Sequence, residues 1–343
     1  MGGLAIRHVI GQDANRISKD EYMPLFRAVV ARIMYVDPKA HIYSPTPYWG
    51  KESHGDLDVI VSTEVENVCA MFRCIPFVKN DKCTSFAYSI NGKIVQVDII
   101  RYGADAISAA KAQNMMWYMS NGNFGNLLGK MLHSYSFILS GEEGLVYQIR
   151  KGHVYPDITG GDYEVVLETI STGISLPQIL DLVGISRSLW TSGFKDNEAA
   201  SQLVATSPYY NNSAFQEGSF RHADRVRERK RQSYEHIKLI PGVSTKTRLD
   251  LIEDVHNMRL WFKDRISQCI INHVHEKALT GRYNSMYGGH RVKELTGLDG
   301  VELGRFCSNL KSSYPKTLEN AFMRSQKDVD EIIRFRHSVH VYE

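Results

Sequence analysis

The sequence predicts an α+β fold, a small mixed sheet with covering helices followed by a mainly helical region. Three observations carry this. Residues 57–62 and 94–101 are dense in Val and Ile and read as buried strands. Asn91-Gly92 separates two alternating runs, 84–90 and 93–101, and that dipeptide is the preferred type I′ hairpin turn. From about residue 164 onward the apolar spacing becomes mainly helical.

The elements follow in chain order. Residues 19–35 have helical periodicity, with Pro24 tolerable in the first turn. A strand is expected at 40–44, then a turn leading into a short helix, with Thr46 as N-cap and Pro47 as first helical residue. Strand 57–62 precedes an expected helix at 64–73, and the Asn-Gly hairpin comes next. Residues 104–114 read as a helix, 115–120 as a short strand and 123–140 as a helix. On that last helix Asn123, Asn126, Lys130 and His133 form a polar face opposite Phe124, Leu128, Met131 and Tyr135. Residues 141–163 read as turns around a short strand at 145–149. Helices are expected at 164–171, 176–184, 196–205, 219–236, 247–278, 299–313 and 325–338. The implied division is a helical segment 1–38, a sheet domain 39–163, a helical middle domain 164–245 and a helical C-terminal domain 246–343.

The chain has 343 residues, 43% hydrophobic and 23% charged, the balance of a globular protein with material for two or three domains. The formal net charge of +3 is too mild to establish a nucleic-acid partner, so the distribution of charge matters more. The five cysteines, Cys69, Cys74, Cys83, Cys269 and Cys307, form no Cys-x-x-Cys pair. That argues against a zinc site or a disulfide framework and for reduced thiols in a cytoplasmic protein. The N-terminus has no secretory signal, and no run approaches the roughly 18 apolar residues of a membrane span.

The chemistry concentrates in three aspartates inside strands. Asp56 and Asp58 are two residues apart and so project from one face of a strand. Buried charge is costly unless something pairs with it. A third carboxylate from a neighbouring strand, Asp98, would complete an oxygen cage suited to two Mg²⁺ ions, with Mn²⁺ as a substitute. Such a cage is the hardware of two-metal phosphoryl transfer. Downstream, residues 221–231 hold six Lys or Arg against two acids. Arg225, Arg227, Arg229, Lys230 and Arg231 are candidates for nucleic-acid phosphates, and Glu228 is placed to pair with Arg225 or Arg231. Tyr209, Tyr210, Phe215, Phe220 and Tyr234 flank the run, to stack bases or to pack a helical core.

The run Gly50, Glu52, Ser53, Gly55, Asp56 and Asp58 resembles the Gly-x-Glu-Ser-x-Gly-Asp-hydrophobic-Asp motif of the DNA polymerase X family, within the polymerase β-like nucleotidyltransferase superfamily. Asp98 matches that family's third aspartate, and Tyr118 to Asn126 looks like a variant of its Tyr-Phe-Thr-Gly-Ser element. The resemblance covers about residues 40–150. It implies metal binding and catalysis by Asp56, Asp58 and Asp98, and contact with a nucleoside triphosphate by Thr46, Lys51, Ser53, Tyr118, Gly122, Asn123 and Asn126. It also implies a nucleic-acid 3′-hydroxyl as acceptor. The chain departs from the family at Pro45-Thr46, where Gly-Ser is usual, at Trp49, near an expected Arg, and at Tyr118-Met119. A weaker similarity links Gly297, Gly300 and Gly304 to the helical body of CCA-adding enzymes and poly(A) polymerases, which tilts the acceptor toward RNA, including tRNA. Two rival readings stand beside this one. The first is nucleotide transfer to a protein or small molecule. The second is a nucleic-acid-binding protein without catalysis.

Overall fold

The computed structural model describes residues 5–340 except 67, 73–74, 157–161, 220–223, 226–227, 229–232, 318–319, 322–323 and 325. The chain forms two compact units, Met1–Phe262 and Lys263–Glu343. In the first, the strands are β1 (Ile17–Ser18), β2 (His41–Tyr43), β3 (Ser53–His54), β4 (Asp56–Ser62), β5 (Phe77–Asn80), β6 (Cys83–Ile90), β7 (Lys93–Tyr102), β8 (Phe137–Ser140), β9 (Gly144–Pro156) and β10 (Asp162–Ile174). The helices named below are α1 (Arg7–Ile10), α2 (Lys19–Val36), α3 (Ala106–Met119), α4 (Phe124–His133), α5 (Leu176–Leu182), α6 (Arg187–Thr191) and α7 (Asn197–Ala205).

Five strands form the central mixed sheet in the order β2-β4-β7-β6-β5, with β4 and β7 parallel and the other pairs antiparallel. Asn91 and Gly92 turn the β6–β7 hairpin with positive φ of 49° and 74°, as a type I′ turn requires. Because side chains alternate along a strand, the two faces separate cleanly. Leu57, Val59, Val61, Val97, Ile99 and Phe86 face α2, whose Leu25, Val29 and Ile33 pack against them. Each such side chain contributes about 1.5–3 kcal/mol on burial. Ser18 and Glu21 start α2 with a capping box. On the opposite face Ile60 and Tyr102 meet α3 at Ala112, with Met115, Met116 and Met119 around them. That face is apolar only where α3 covers it; nearer the start of β4 it carries the acids.

A second sheet, β10-β9-β8, is antiparallel and packs α4 against β8. The general architecture is therefore as expected, a mixed sheet with covering helices and then a mainly helical region. Several local expectations were wrong. Residues 115–120, read as a strand, finish α3, and the helix expected at 64–73 is reduced among described residues to the short turn Val68–Ala70. The helix expected to run to 140 stops at His133, where Ser136 takes a positive φ of 66° and β8 begins. Residues 144–156 and 162–171 belong to the long β9–β10 pair instead of to turns and a helix, so the boundary expected at 163/164 falls inside β10. Pairing with a distant partner overrode local helical spacing there.

Helices expected at 176–184 and 196–205 are α5 and α7. The long helix expected at 247–278 is broken into Arg248–Met258 and Phe262–Tyr287, and the Arg259 side chain donates to the carbonyls of Thr172 and Gly173. Much of 219–236 lies outside the described residues. In the second unit, helices Gly300–Ser313 and Gln326–His340 are where expected, and Gly289–Thr296 is an additional one. Tyr287, Val292, Phe306, Leu310 and Ile333 form its core. Among the described residues no helix is long and apolar enough to cross a membrane.

Candidate functional site

The parallel register of β4 and β7 sets Asp58 directly beside Asp98, and Asp56 beside Gln96. Paired residues on adjacent strands, about 4.8 Å apart, share a face. Asp56, Asp58 and Asp98 thus occupy three corners of one patch, each half-buried. Burial pushes the Asp58 carboxyl up to about 7, the carboxylates of Asp56 and Asp98 push it further, and Lys51 opposes them. Burial also raises Asp98, against hydrogen bonds from Ser85 and Gln96 that hold it down, while Asp56 adds to the rise. The field of the cluster reaches its neighbours. Burial, then Asp58, then Asp56 lift the Tyr22 hydroxyl to about 12 against a hydrogen bond from Ser44. Cys83 rises to about 12 through burial and the Asp98 charge.

Among the described residues, no group of three or more His, Cys, Asp or Glu side chains is placed so that it could hold a metal ion as it stands. Both Asp98 oxygens instead accept from Gln96 Nε2, at 3.0 and 2.9 Å. The chemistry of the donors nonetheless fits a hard divalent cation, since the patch offers carboxylate oxygens whose mutual repulsion a cation relieves.

Lys51 and Ser53 lie near this patch. Lys51 is exposed and acts on Asp58 and His54 through its charge. Ser53, on β3 opposite Ser18, is engaged by Arg16, whose Nε donates to Oγ at 2.8 Å and whose Nη2 donates to the carbonyl at 2.9 Å. His54 meets the Tyr22 ring at 4.4 Å between centroids, tilted by 47°, and burial, Lys51 and Arg16 depress its basicity.

The remaining nucleotide candidates gather elsewhere, around Tyr48. Its hydroxyl accepts from the Asn123 N–H at 2.8 Å and donates to Asn197 Oδ1 at 3.3 Å. Gly122, at φ 63°, packs so closely that a Cβ would collide with the Tyr48 ring. The Tyr118 hydroxyl donates to Asn126 Oδ1 at 3.2 Å, and the Asn126 amide donates to Asn123 Oδ1 at 3.1 Å. Asn123 Nδ2 reaches Asn197 at 3.2 Å. The charge felt by Tyr48 is that of Asp196.

Thr46 and Pro47 do not start a helix; residues 44–48 are irregular. The Thr46 N–H donates to Ser120 Oγ at 3.1 Å, that of Trp49 to the Phe194 carbonyl at 3.0 Å and that of Gly50 to the Lys195 carbonyl at 3.1 Å. Backbone donors that a phosphate-binding helix end would present are spent on these distant segments, partners that no local pattern in the chain announces.

Within the basic run, Arg225 is exposed, while Arg227, Arg229, Lys230 and Arg231 lie outside the described residues. Both acids of the run have partners among the described residues. Asp224, 1% exposed, pairs with Lys130 at 2.8 Å and accepts from the Tyr234 hydroxyl at 3.2 Å. Glu228 accepts from the Tyr234 N–H at 2.8 Å and pairs with Lys238 at 3.4 Å. Tyr209, Tyr210, Phe215 and Tyr234 are buried, which makes them core rather than stacking platforms; Phe220 lies outside the described residues. In the second unit, Gly297 ends one helix at φ 72°, and the Asp299 carboxylate caps the next by accepting from the Gly300 N–H at 2.8 Å. A side-chain acid therefore occupies the N-terminal end of that helix.

Sequence reasoning passed over Gln96, Ser85 and Tyr22, neighbours of the acids, and Arg16, which holds Ser53. Gln96 was legible in principle, because a polar residue two positions before Asp98 shares its face. The other three arrive through pairing and packing. Compared with known proteins, the chain matches no family model and no curated protein significantly.

Proposed function

We propose that the protein is a Mg²⁺-dependent nucleotidyltransferase of the polymerase β-like kind, transferring a nucleotide from a nucleoside triphosphate to a nucleic-acid 3′-hydroxyl, with RNA as the leading acceptor. One observation carries the reading, the register that sets Asp98 beside the Asp56/Asp58 pair on one sheet face with Asp58 pushed up to about 7. Asp56, Asp58 and Asp98 would hold the metal, which when bound lowers the pKa of the attacking hydroxyl and neutralises the leaving pyrophosphate. Asp98, whose proton affinity is raised by burial, takes the proton of the 3′-hydroxyl as its oxygen attacks the α-phosphorus and pyrophosphate departs. Lys51, exposed and within electrostatic reach of Asp58, is the cation nearest to hand for the triphosphate.

The test incubates purified protein and Mg²⁺ with each labelled NTP and dNTP, against RNA ends, DNA ends, a protein and small hydroxyl compounds. Label on a nucleic-acid end, lost in Asp58→Asn, supports the proposal; label on the other acceptors alone moves the reading to the rival transferases. Binding of labelled RNA or DNA without any incorporation leaves a binding protein. Neutralising Arg227, Arg229 and Lys230 together should flatten the salt dependence of nucleic-acid binding by roughly 0.9 per lost phosphate contact.

A further inference from the structure

Gln96 is the fourth corner of the carboxylate patch, opposite Asp56 in the β4–β7 register and two residues before Asp98. It is 3% exposed, the most buried of the four. A buried amide is tolerable only when both of its ends are bonded. Its Nε2 donates to Oδ1 and Oδ2 of Asp98 at 3.0 and 2.9 Å. Its Oε1 accepts from the backbone N–H of Ala5 at 2.9 Å. The same N-terminal stretch is held along β7 by a bond from the Asn15 N–H to the Ile94 carbonyl at 2.8 Å, and Ile6 is fully buried. These partners fix the amide one way round, since the flipped amide would set its oxygen against a carboxylate and its nitrogen against an N–H.

We propose that Gln96 is a positioning residue for divalent-cation binding by Asp98, and that the N-terminal segment sets it through the Ala5 N–H. The inference rests on the reading of Asp56, Asp58 and Asp98 as a cation site. Asp98 cannot swing away from its neighbours without giving up its bonds to Gln96, and Gln96 cannot turn without stranding Ala5. A glutamate at this corner would add a fourth negative charge; the amide is neutral and donates. Partners that orient a ligating carboxylate typically govern affinity by about 10- to 100-fold.

The experiment measures Mn²⁺ binding by calorimetry and by electron paramagnetic resonance on the full chain. Wild type is compared with Gln96→Met, which keeps the volume but neither hydrogen-bonding group, with Ala5→Pro, which deletes one N–H, and with Ala5→Gly, which retains it. Expected are a loss of affinity of about 10- to 100-fold in Gln96→Met, a several-fold loss in Ala5→Pro, and unchanged binding in Ala5→Gly. In chelator Ala5→Pro should melt below Ala5→Gly, because it leaves the buried Gln96 Oε1 without its donor. Wild-type affinity in Gln96→Met overturns the positioning role. Equal affinity in the two Ala5 variants overturns the link to the N-terminal segment, and those two variants decide the matter if Gln96→Met does not fold. Absence of Mn²⁺ binding by wild type sinks the cation site itself, and is told apart from the other failures because in those wild type binds.

Discussion

Two clusters of buried charge in the first unit handle the cost of burial in opposite ways. Lys130 and Asp224, 5% and 1% exposed at their side chains, face each other at 2.8 Å, and the Ser219 carbonyl and Tyr234 hydroxyl satisfy much of the rest. Its charges are balanced from within. Asp56, Asp58 and Asp98 are alike in sign, and the one opposing charge on Asp58, Lys51, is exposed. Their repulsion is paid by holding Asp58 near 7. Desolvated opposite charges mark a structural joint, whereas desolvated like charges on one face raise one another's proton affinity, which a cation bound at the proposed site would relieve.

The comparison is sharpest where a single substitution moves the two clusters in opposite directions. Asp58→Asn should reduce nucleotide incorporation by roughly 10³-fold, measured with labelled nucleotide, while leaving the fold intact. Lys130→Met should do the reverse. It removes the cation that stands at 2.8 Å from the buried Asp224 carboxylate and costs about 3–5 kcal/mol of stability in a denaturant melt, while the folded fraction keeps its affinity for Mn²⁺. Next in size, Mg²⁺ should raise the melting temperature of wild type and leave that of Asp58→Asn unmoved. In chelator above pH 7, Asp58→Asn should itself melt about 2–4 °C higher than wild type, because a repelling charge has gone.

The smallest effect is a pH dependence. Asp58 holds its proton more tightly in the fold, at about 7, than in the unfolded chain, at 3.8. The metal-free protein therefore loses stability as pH rises between those two values, and the loss is complete above the higher one. Melts in chelator should show that slope in wild type and a flatter one in Asp58→Asn. A wild-type profile no steeper than the variant's would break the comparison.

The acid patch was legible because strands obey a period of two. Asp56 and Asp58 had to share a face, and Asn91-Gly92 fixed β6 against β7. That β4 runs parallel to β7 and meets it at Asp58 and Asp98 was the step the sequence left open. Lys130 shows the limit of helical periodicity. It was grouped with Asn123, Asn126 and His133 on a polar face, yet it is 7% exposed, and Asn123 and Asn126 bond inward. An amphipathic pattern tells which residues share a side, not whether that side meets water or a polar interior. The β9–β10 hairpin failed for a different reason. Its strands are 13 residues long each, and residues 164–171 carry Val, Thr and Ile at spacings that also satisfy a helix.

The alternation along β4 has a consequence for how errors in this chain are filtered. Asp56 and Asp58 interleave with Leu57 and Val59, and the strand is clamped between an antiparallel neighbour and a parallel one. A one-step slip of that strand would drive acids into the oily layer against α2 and turn leucine and valine toward the acid-bearing face. The mispaired chain would fail to fold at all, so a well-folded but disarmed population is not an accessible product of that mistake.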